Sequence, residues 1–424
     1  MDIFNAYTEA IAISLVIIVS YFFNYIAKKT NIPSVLLLIG LGIGLQQALN
    51  RAEIDINAFV MEVLELLGIV GLIMIVLEAS LDLELKKEKK PLLIRSFIVA
   101  LLSLFATTFA IGYIFHQFIV DNFFNALMYA IPLSILSSAI IIPSVSNLMD
   151  NKREFMIYES SFSDILGIMF FYFMISGHKA TGVTQVVTQI SGSIALTILL
   201  SLLISYALVL LLQHLQSKVK LFFLISVLVL LYATGKLFHL SSLMIIMVFG
   251  IVLNNHELFF KGKLKRFINK HSLEEITEDF HLVTMETAFV VRTFFFVIFG
   301  MTLDFSGITD PTSILISLGV LAVTFLIRFV FLKMFGGKSI IPQLWIAPRG
   351  LVTVLLFFSI PAQFQDSAFN PAILLIVILA SSLIMSGGLI AKKEDIEEVA
   401  ELNFDDWEQL DEEIKSLTPK EQDQ

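Results

Sequence analysis

The sequence predicts an all-α polytopic membrane protein of about 13 transmembrane helices, arranged as two inverted six-helix repeats with crossed, interrupted helices. Three observations lead there. Of 424 residues, 57% are hydrophobic and 15% are charged, against about 25% charged in a soluble protein, and mean hydropathy is +0.86. The charges are clumped, leaving long stretches with none, as repeated membrane crossing requires. Segments of the two halves also resemble one another at similar offsets, as in transporters built from repeats. A string of soluble domains is excluded, because a surface so poor in charge would not stay dispersed in water.

A helix needs roughly 20 apolar residues to cross about 30 Å of hydrocarbon. Thirteen segments meet that need, at about 8–27, 32–49, 58–82, 92–119, 123–149, 155–177, 184–213, 219–235, 240–254, 283–303, 311–333, 339–361 and 371–391. The first has neither a basic leader nor a small-residue cleavage site, so it reads as a retained helix. With the N-terminus outside, the inner loops hold 20 Lys and Arg residues and the outer loops only Arg51, Lys179 and Lys236. That asymmetry sets the orientation. It predicts a multi-pass protein of the plasma (inner) membrane with a cytoplasmic C-terminal tail.

The net charge of −9 belongs to that tail: residues 394–424 hold 13 acids and 2 bases, leaving 24 acids and 26 bases for the body. Ile396, Val399, Leu402, Trp407, Leu410, Ile414 and Leu417 approximate a helical stripe in it. A short amphipathic helix and plain disorder both fit. With no cysteine, disulfides, thiolate metal sites and cysteine nucleophiles are excluded.

The repeat lies beneath the hydropathy. Ser34 to Leu45 in span 2 matches Ser242 to Leu253 in span 9, with Ser, Gly-Ile and Leu in register. Val76 to Leu83 ends span 3 as Ile298 to Phe305 ends span 10, and Ile131-Pro132-Leu133 in span 5 parallels Ala347-Pro348-Arg349 in span 12. Partners seven spans apart run in opposite directions through the bilayer, which makes span 7 a linker between inverted halves.

Ionisable residues at membrane depth are expensive and default to function. Asp164 lies near the middle of span 6, with Glu159 just over a turn nearer the cytoplasm. Arg328 on span 11 sits at the depth of Glu159, and Arg349 near the middle of span 12. Glu78 on span 3 and Arg292 on span 10 are candidates for a cytoplasmic funnel, with Arg292 expected to pair with an acid. Pro132 and Pro143 flank Ser137-Ser138, and span 12 carries Pro348-Arg349-Gly350. A proline removes a helical hydrogen bond and frees a carbonyl, which lipid tolerates only beside a polar cavity. Two such spans predict crossed, interrupted helices next to Asp164, with Arg349 compensating the C-terminal half-helix ends.

Glu159-Ser160-Ser161-Phe162-Ser163-Asp164 resembles the Glu-Ser-x-x-Asn-Asp motif of the sodium–hydrogen exchanger branch of the cation/proton antiporters. Trp345 to Leu351 resembles that branch's Leu-Arg-Gly element, Leu326-Ile327-Arg328 its Ala-Arg element, and Leu77 to Lys86 its Phe-Glu-Gly-Gly pattern. The resemblance covers residues 1–393. It implies that Asp164 binds the cation and the proton, aided by Ser160 and by the backbone near Ser137 and Ser138. It also implies that Glu159 and Arg328 form a structural ion pair and that the protein is a homodimer. Two departures stand out. Ser163 replaces Asn, or the second Asp of electrogenic relatives, and Ser138-Ala139-Ile140 replaces Thr-Asp-Pro, which leaves Arg349 without its usual acidic partner.

Na⁺, Li⁺ and K⁺ are hard cations that take oxygen ligands. Asp164, Ser160, Ser163, Ser137, Ser138 and freed carbonyls offer them. A carboxylate out of water holds a proton or a metal ion but not both, which suffices for exchange when the empty charged site crosses poorly. One carboxylate gives one cation per proton and no net charge movement. The expected partners are therefore Na⁺ (or Li⁺ or K⁺), H⁺, the lipid bilayer and a second copy of the chain, with no cofactor and no nucleic acid. The expected division is 1–90 scaffold, 91–183 core, 184–310 linker and scaffold, 311–393 core, and 394–424 tail.

Other motifs point elsewhere only weakly. Gly336-Gly337-Lys338-Ser339 resembles the end of a phosphate-binding loop, but its first glycine would fall at Leu332. The basic run from Lys261 to Lys270 reads as an orientation signal and lipid contact. A K⁺/H⁺ antiporter, a cation channel on the same scaffold and an organic-anion symporter are the rival functions. An enzyme is disfavoured, since no catalytic pair or metal cluster sits at membrane depth.

Overall fold

The computed structural model describes residues 6–30, 34–51, 70–71, 73–83, 85, 88–145, 148–177, 199–211, 223, 226–230, 232–233, 242–260, 269–302, 309–336 and 340–391. Among the described residues every regular element is a helix. In order they are α1 (Ala6–Thr30), α2 (Ser34–Arg51), a helical stretch over 73–81, α3 (Lys90–Phe118), α4 (Phe123–Ser134), α5 (Ser138–Ser144) and α6 (Asp150–Gly177). An apolar helix Leu199–Leu211 follows. Then come α7 (Ser242–Asn254), α8 (His256–Phe259), α9 (Lys270–Met301), α10 (Pro311–Phe335), α11 (Leu351–Phe358), a 3₁₀ turn Ala362–Phe364 and α12 (Ala372–Ala391).

Local chemistry sets the helix ends. The Asn122 side chain accepts from the N–H groups of Phe124 and Asn125 and starts α4, which satisfies two donors that have no helical partner. Asp310 does the same for α10 through Thr312 and Ser313, with Pro311 following in the first turn. The Ser313 hydroxyl, then the two backbone N–H groups, hold the Asp310 carboxyl below the usual carboxylate range. The 29 residues of α3 reach about 43 Å at 1.5 Å per residue, enough to cross a bilayer. Among the described residues five apolar segments are long enough to span: Lys90–Phe118, Phe123–Ser144, Ile276–Met301, Pro311–Phe335 and Ala372–Ala391.

The helices pack as two groups. In one, α3 lies against α4, α6 and α10, α12 lies on α10, and α5 and α11 pack inside against α6 and α4. In the other, α2 lies along α9 and α1 touches both. In lipid such packing rests on close backbone approach more than on hydrophobic burial. A Cβ on Gly42 of α2 would fall 2.0 Å from the Val297 carbonyl, and one on Gly300 of α9 would fall 2.4 Å from the Ile39 carbonyl. On the other side of the sequence match, Gly250 of α7 meets Ser80 of the 73–81 stretch, where a Cβ would come within 2.6 Å. Gly42 and Gly250 occupy the same position in the matched Ser34–Leu45 and Ser242–Leu253 segments.

Two segments differ from expectation. The helix expected at 283–303 begins at Lys270; its added turns carry Glu274, Glu278 and Asp279, too polar to register as part of an apolar span. The segment expected at 339–361 is α-helical only over Leu351–Phe358, with turns at 341–345 and an irregular stretch at 346–350. Pro342 and Pro348 lack the N–H groups a continuous helix would need there. Residues 52–69, 178–198 and 212–222, most of the expected span 219–235 and the tail after 391 lie outside the described residues. So do the basic run over 261–268 and the full count of 13 spans.

Candidate functional site

The first interrupted segment breaks at Ile135-Leu136-Ser137, between α4 and α5. A break in a buried helix leaves N–H groups that must find partners, and here each goes to a different place. The Leu136 N–H donates to the Ser163 hydroxyl at 2.9 Å. The Ser137 N–H donates to the Pro348 carbonyl at 3.0 Å, which joins this break to the irregular stretch before α11. The Ser138 N–H donates to Asp164 Oδ2 at 3.1 Å. Consecutive residues of α6 thus close two of the three, and the two interrupted segments touch where the third is closed.

Gly350 makes that contact possible. A Cβ there would lie 2.5 Å from Ser137 Oγ and 2.7 Å from Ile140 Cδ1. The free carbonyls are met as well. Arg349, 2% exposed, donates through Nε to the Leu133 carbonyl in the last turn of α4 and through Nη1 to the Ala347 carbonyl at 3.1 Å. Its own N–H goes to the Ser381 hydroxyl of α12 at 3.1 Å. A guanidinium serving carbonyls rather than a carboxylate fits a C-terminal half-helix end.

Asp164, Ser137, Ser138 and Ser163 therefore form one buried cluster. Within it, Asp164 Oδ1 and Ser137 Oγ have no hydrogen-bond partner among the described residues. Buried polar atoms are ordinarily paired, so two orphan oxygens in one cluster suit a cation or proton. Ser160 lies one turn before Asp164 on the same face of α6 and donates to the Ile157 carbonyl at 3.1 Å, which leaves its oxygen able to accept. Among the described residues no group of three or more His, Asp or Glu side chains could hold a multivalent metal.

Glu159 and Arg328 meet in a two-pronged pair, with Nη1 to Oε1 at 2.6 Å and Nη2 to Oε2 at 3.0 Å. Both are buried, and Arg328 also donates from Nε and Nη2 to the Gln343 carbonyl at 3.0 and 2.8 Å. Glu78 and Arg292 pair with each other, Nη2 to Oε2 at 2.7 Å. The sequence named both but not their partnership. Arg292 also reaches the Ala139 carbonyl of α5 through Nη1 at 3.3 Å.

Three features escaped sequence reasoning. The Ala139 and Gln343 carbonyls receive guanidinium bonds, and His281 Nε2 lies 2.7 Å from Asp82 Oδ1. Ala139 carried a signal: Pro143, four residues on, has no N–H to give it. Nothing in the sequence pointed to the other two.

The family model described as sodium/hydrogen exchanger, transmembrane, matches residues 13–391. No curated protein matches the chain by sequence. A structure of the sodium proton antiporter MjNhaP1 from Methanocaldococcus jannaschii at pH 8 superposes with a TM-score of 0.64 at 19% identity, covering 92% of this chain and 99% of that one. An electron-microscopy structure of the same antiporter gives 0.61 at 19% identity, covering 94% and 99%. At such identity the likeness is one of fold.

Proposed function

Because the chain belongs to the sodium/hydrogen exchanger family, we propose that it exchanges a monovalent cation, Na⁺ foremost, for H⁺, one for one, through the single carboxylate of Asp164. The observation that carries this reading is the state of that carboxylate. One oxygen is held by the Ser138 N–H, while the other is buried with no hydrogen-bond partner among the described residues, as is the hydroxyl of Ser137, the residue before Ser138. A proton on Asp164 and a cation ligated by its carboxylate, Ser137, Ser160 and nearby carbonyls are mutually exclusive occupants. Either one neutralises the site, and the exchange follows from that exclusion. Ser163 adds no second carboxylate and is engaged in holding the break at Leu136.

Movement of the α3–α6 and α10–α12 group against the α1, α2 and α9 group would carry the site between faces, in an inverted-repeat membrane protein with its C-terminus in the cytoplasm. The equivalent placing of Gly42 and Gly250 at two close helix contacts supports the repeat. A homodimer in the plasma membrane, through the second group, completes the proposal.

The test is exchange by full-length protein in proteoliposomes containing a pH-sensitive dye, across a panel of Na⁺, Li⁺ and K⁺. Cation addition to the wild type moves protons without net current, and Asp164→Asn abolishes that movement. Full activity in Asp164→Asn would sink the mechanism. Current without proton movement would favour a channel, and a response to K⁺ alone would reassign the cation.

A further inference from the structure

A one-carboxylate exchanger has a weakness: the empty, charged site must not cross, or protons leak without cations. The structure holds a device suited to preventing it. Arg292 lies on α9, in one helix group, and its Nη2 is tied to Glu78 of the 73–81 stretch at 2.7 Å. Its Nη1 reaches out of that group to the Ala139 carbonyl of α5 at 3.3 Å, and its Nε has no hydrogen-bond partner among the described residues. The firm bond is to Glu78, and the longer one crosses the boundary between the groups.

The carbonyl at the far end is a particular one. Pro143 denies Ala139 the N–H that an α-helix supplies from four residues on, so its oxygen is open to another donor. Ala139 directly follows Ser138, which holds Asp164, and Arg292 lies within electrostatic range of that carboxylate. On its other side the arginine's partner Glu78 is also acted on by Asp82, just beyond the 73–81 stretch, and by His281 from α9 itself, which pair with each other. An open carbonyl is also an oxygen that a hard cation accepts as ligand.

Resting on the exchange reading above, we propose that Arg292 is a resident cation that locks the two helix groups together while the site is empty. The transported cation displaces it from the Ala139 carbonyl. Attraction between the guanidinium and the site is greatest when Asp164 is bare and falls by a full charge when a proton or a metal ion arrives. Both legitimate occupants therefore release the lock, and vacancy sets it. Arg292 is a positioning residue here, and Glu78 sets how far it leans toward the core.

The test uses full-length protein in proteoliposomes with an internal pH dye and choline as the only other cation. Wild type holds an imposed pH gradient, whereas Arg292→Gln dissipates it several-fold faster. On adding Na⁺, Arg292→Gln shows a KM several-fold lower with kcat little changed, because no tethered charge competes. Arg292→Lys restores tightness. Glu78→Gln, which frees the guanidinium to lean on the core, stays tight and raises KM. Opposite signs in the two glutamine variants are the signature, since a merely structural pair would move both the same way. A tight Arg292→Gln with unaltered KM overturns the lock, as do shifts of like sign or a leaky Arg292→Lys. Should Arg292→Gln fail to insert, Glu78→Gln decides alone: a raised KM supports the lock and an unchanged or lowered one overturns it. Asp164→Asn, run alongside, separates the two proposals. Exchange surviving there overturns the carboxylate reading itself, whereas its loss beside a tight Arg292→Gln with unaltered KM overturns only the lock.

Discussion

Two arginine–glutamate pairs among the described residues are built in opposite ways. Arg328 and Glu159 belong to α10 and α6, both in one helix group, with side chains 3% and 0% exposed. Two prongs join them, and the arginine also serves the Gln343 carbonyl through Nε and Nη2 and Met156 Sδ through Nη2. Arg292 and Glu78 are 15% and 18% exposed. They share one bond, and the arginine divides itself between its partner and a carbonyl of the other group. In the first pair each guanidinium nitrogen has a partner within one body, whereas in the second Nε has none among the described residues and the other two nitrogens set a foot on each side. Similar chemistry thus gives a rivet in one place and a latch in the other.

The largest effect should come from breaking the rivet. Removing either partner leaves a buried charge uncompensated, which costs about 3–5 kcal/mol. Glu159→Ala and Arg328→Ala should therefore fail to give a monodisperse protein in detergent, or melt far below wild type. Exchanging the two, Glu159→Arg with Arg328→Glu, should recover a substantial part of the loss. Absence of any recovery would mean that the Gln343 contact, not the pair, is the critical bond.

How legible these features were follows from their physics. Asp164, Glu159 and Arg328 stand out in a sequence because an ionisable group deep in an apolar run is costly, so its position alone is a signal. Pro132 and Pro348 marked the interrupted segments for a similar reason. What stayed hidden depends on which helices meet. Arg292 could be expected to pair, but Glu78, 214 positions away, was one acid among several. The break itself falls at 135–137 rather than at either flanking proline, because it is fixed by three partners from two other segments. The polar start of α9 was lost because hydropathy finds the buried part of a helix and ignores its wet end.

A third contact joins the two interrupted segments directly, the meeting of Ser137 and Gly350. A methyl group at Gly350 would press on Ser137 Oγ and on Ile140, the residue after Ala139. Overpacking of this kind costs typically about 1–3 kcal/mol. Gly350→Ala should lower the melting temperature less than breaking the rivet does, yet depress exchange strongly, since Ser137 is a candidate ligand. Measuring both in one preparation separates the two expectations. A variant with wild-type exchange would show that the second interrupted segment can move away from the first without disturbing the ion site.

The smallest effect belongs to the latch, and its smallness is the point. Solvent-exposed pairs contribute about 0–1 kcal/mol to stability, because solvent screens them and holding long side chains costs entropy. This pair, with a single bond and some solvent access, should lie nearer that limit than the rivet does. A double-mutant cycle over Glu78→Gln and Arg292→Gln, read as thermal unfolding in detergent, should give a coupling of that order. The same cycle over Glu159→Gln and Arg328→Gln should exceed it several-fold. Raising salt should shrink the first coupling and leave the second nearly unchanged, since buried charges are screened less. A large, salt-insensitive coupling between Glu78 and Arg292 would make the second pair another rivet, for a contact that must break in every cycle cannot also be one of the bonds that hold the fold.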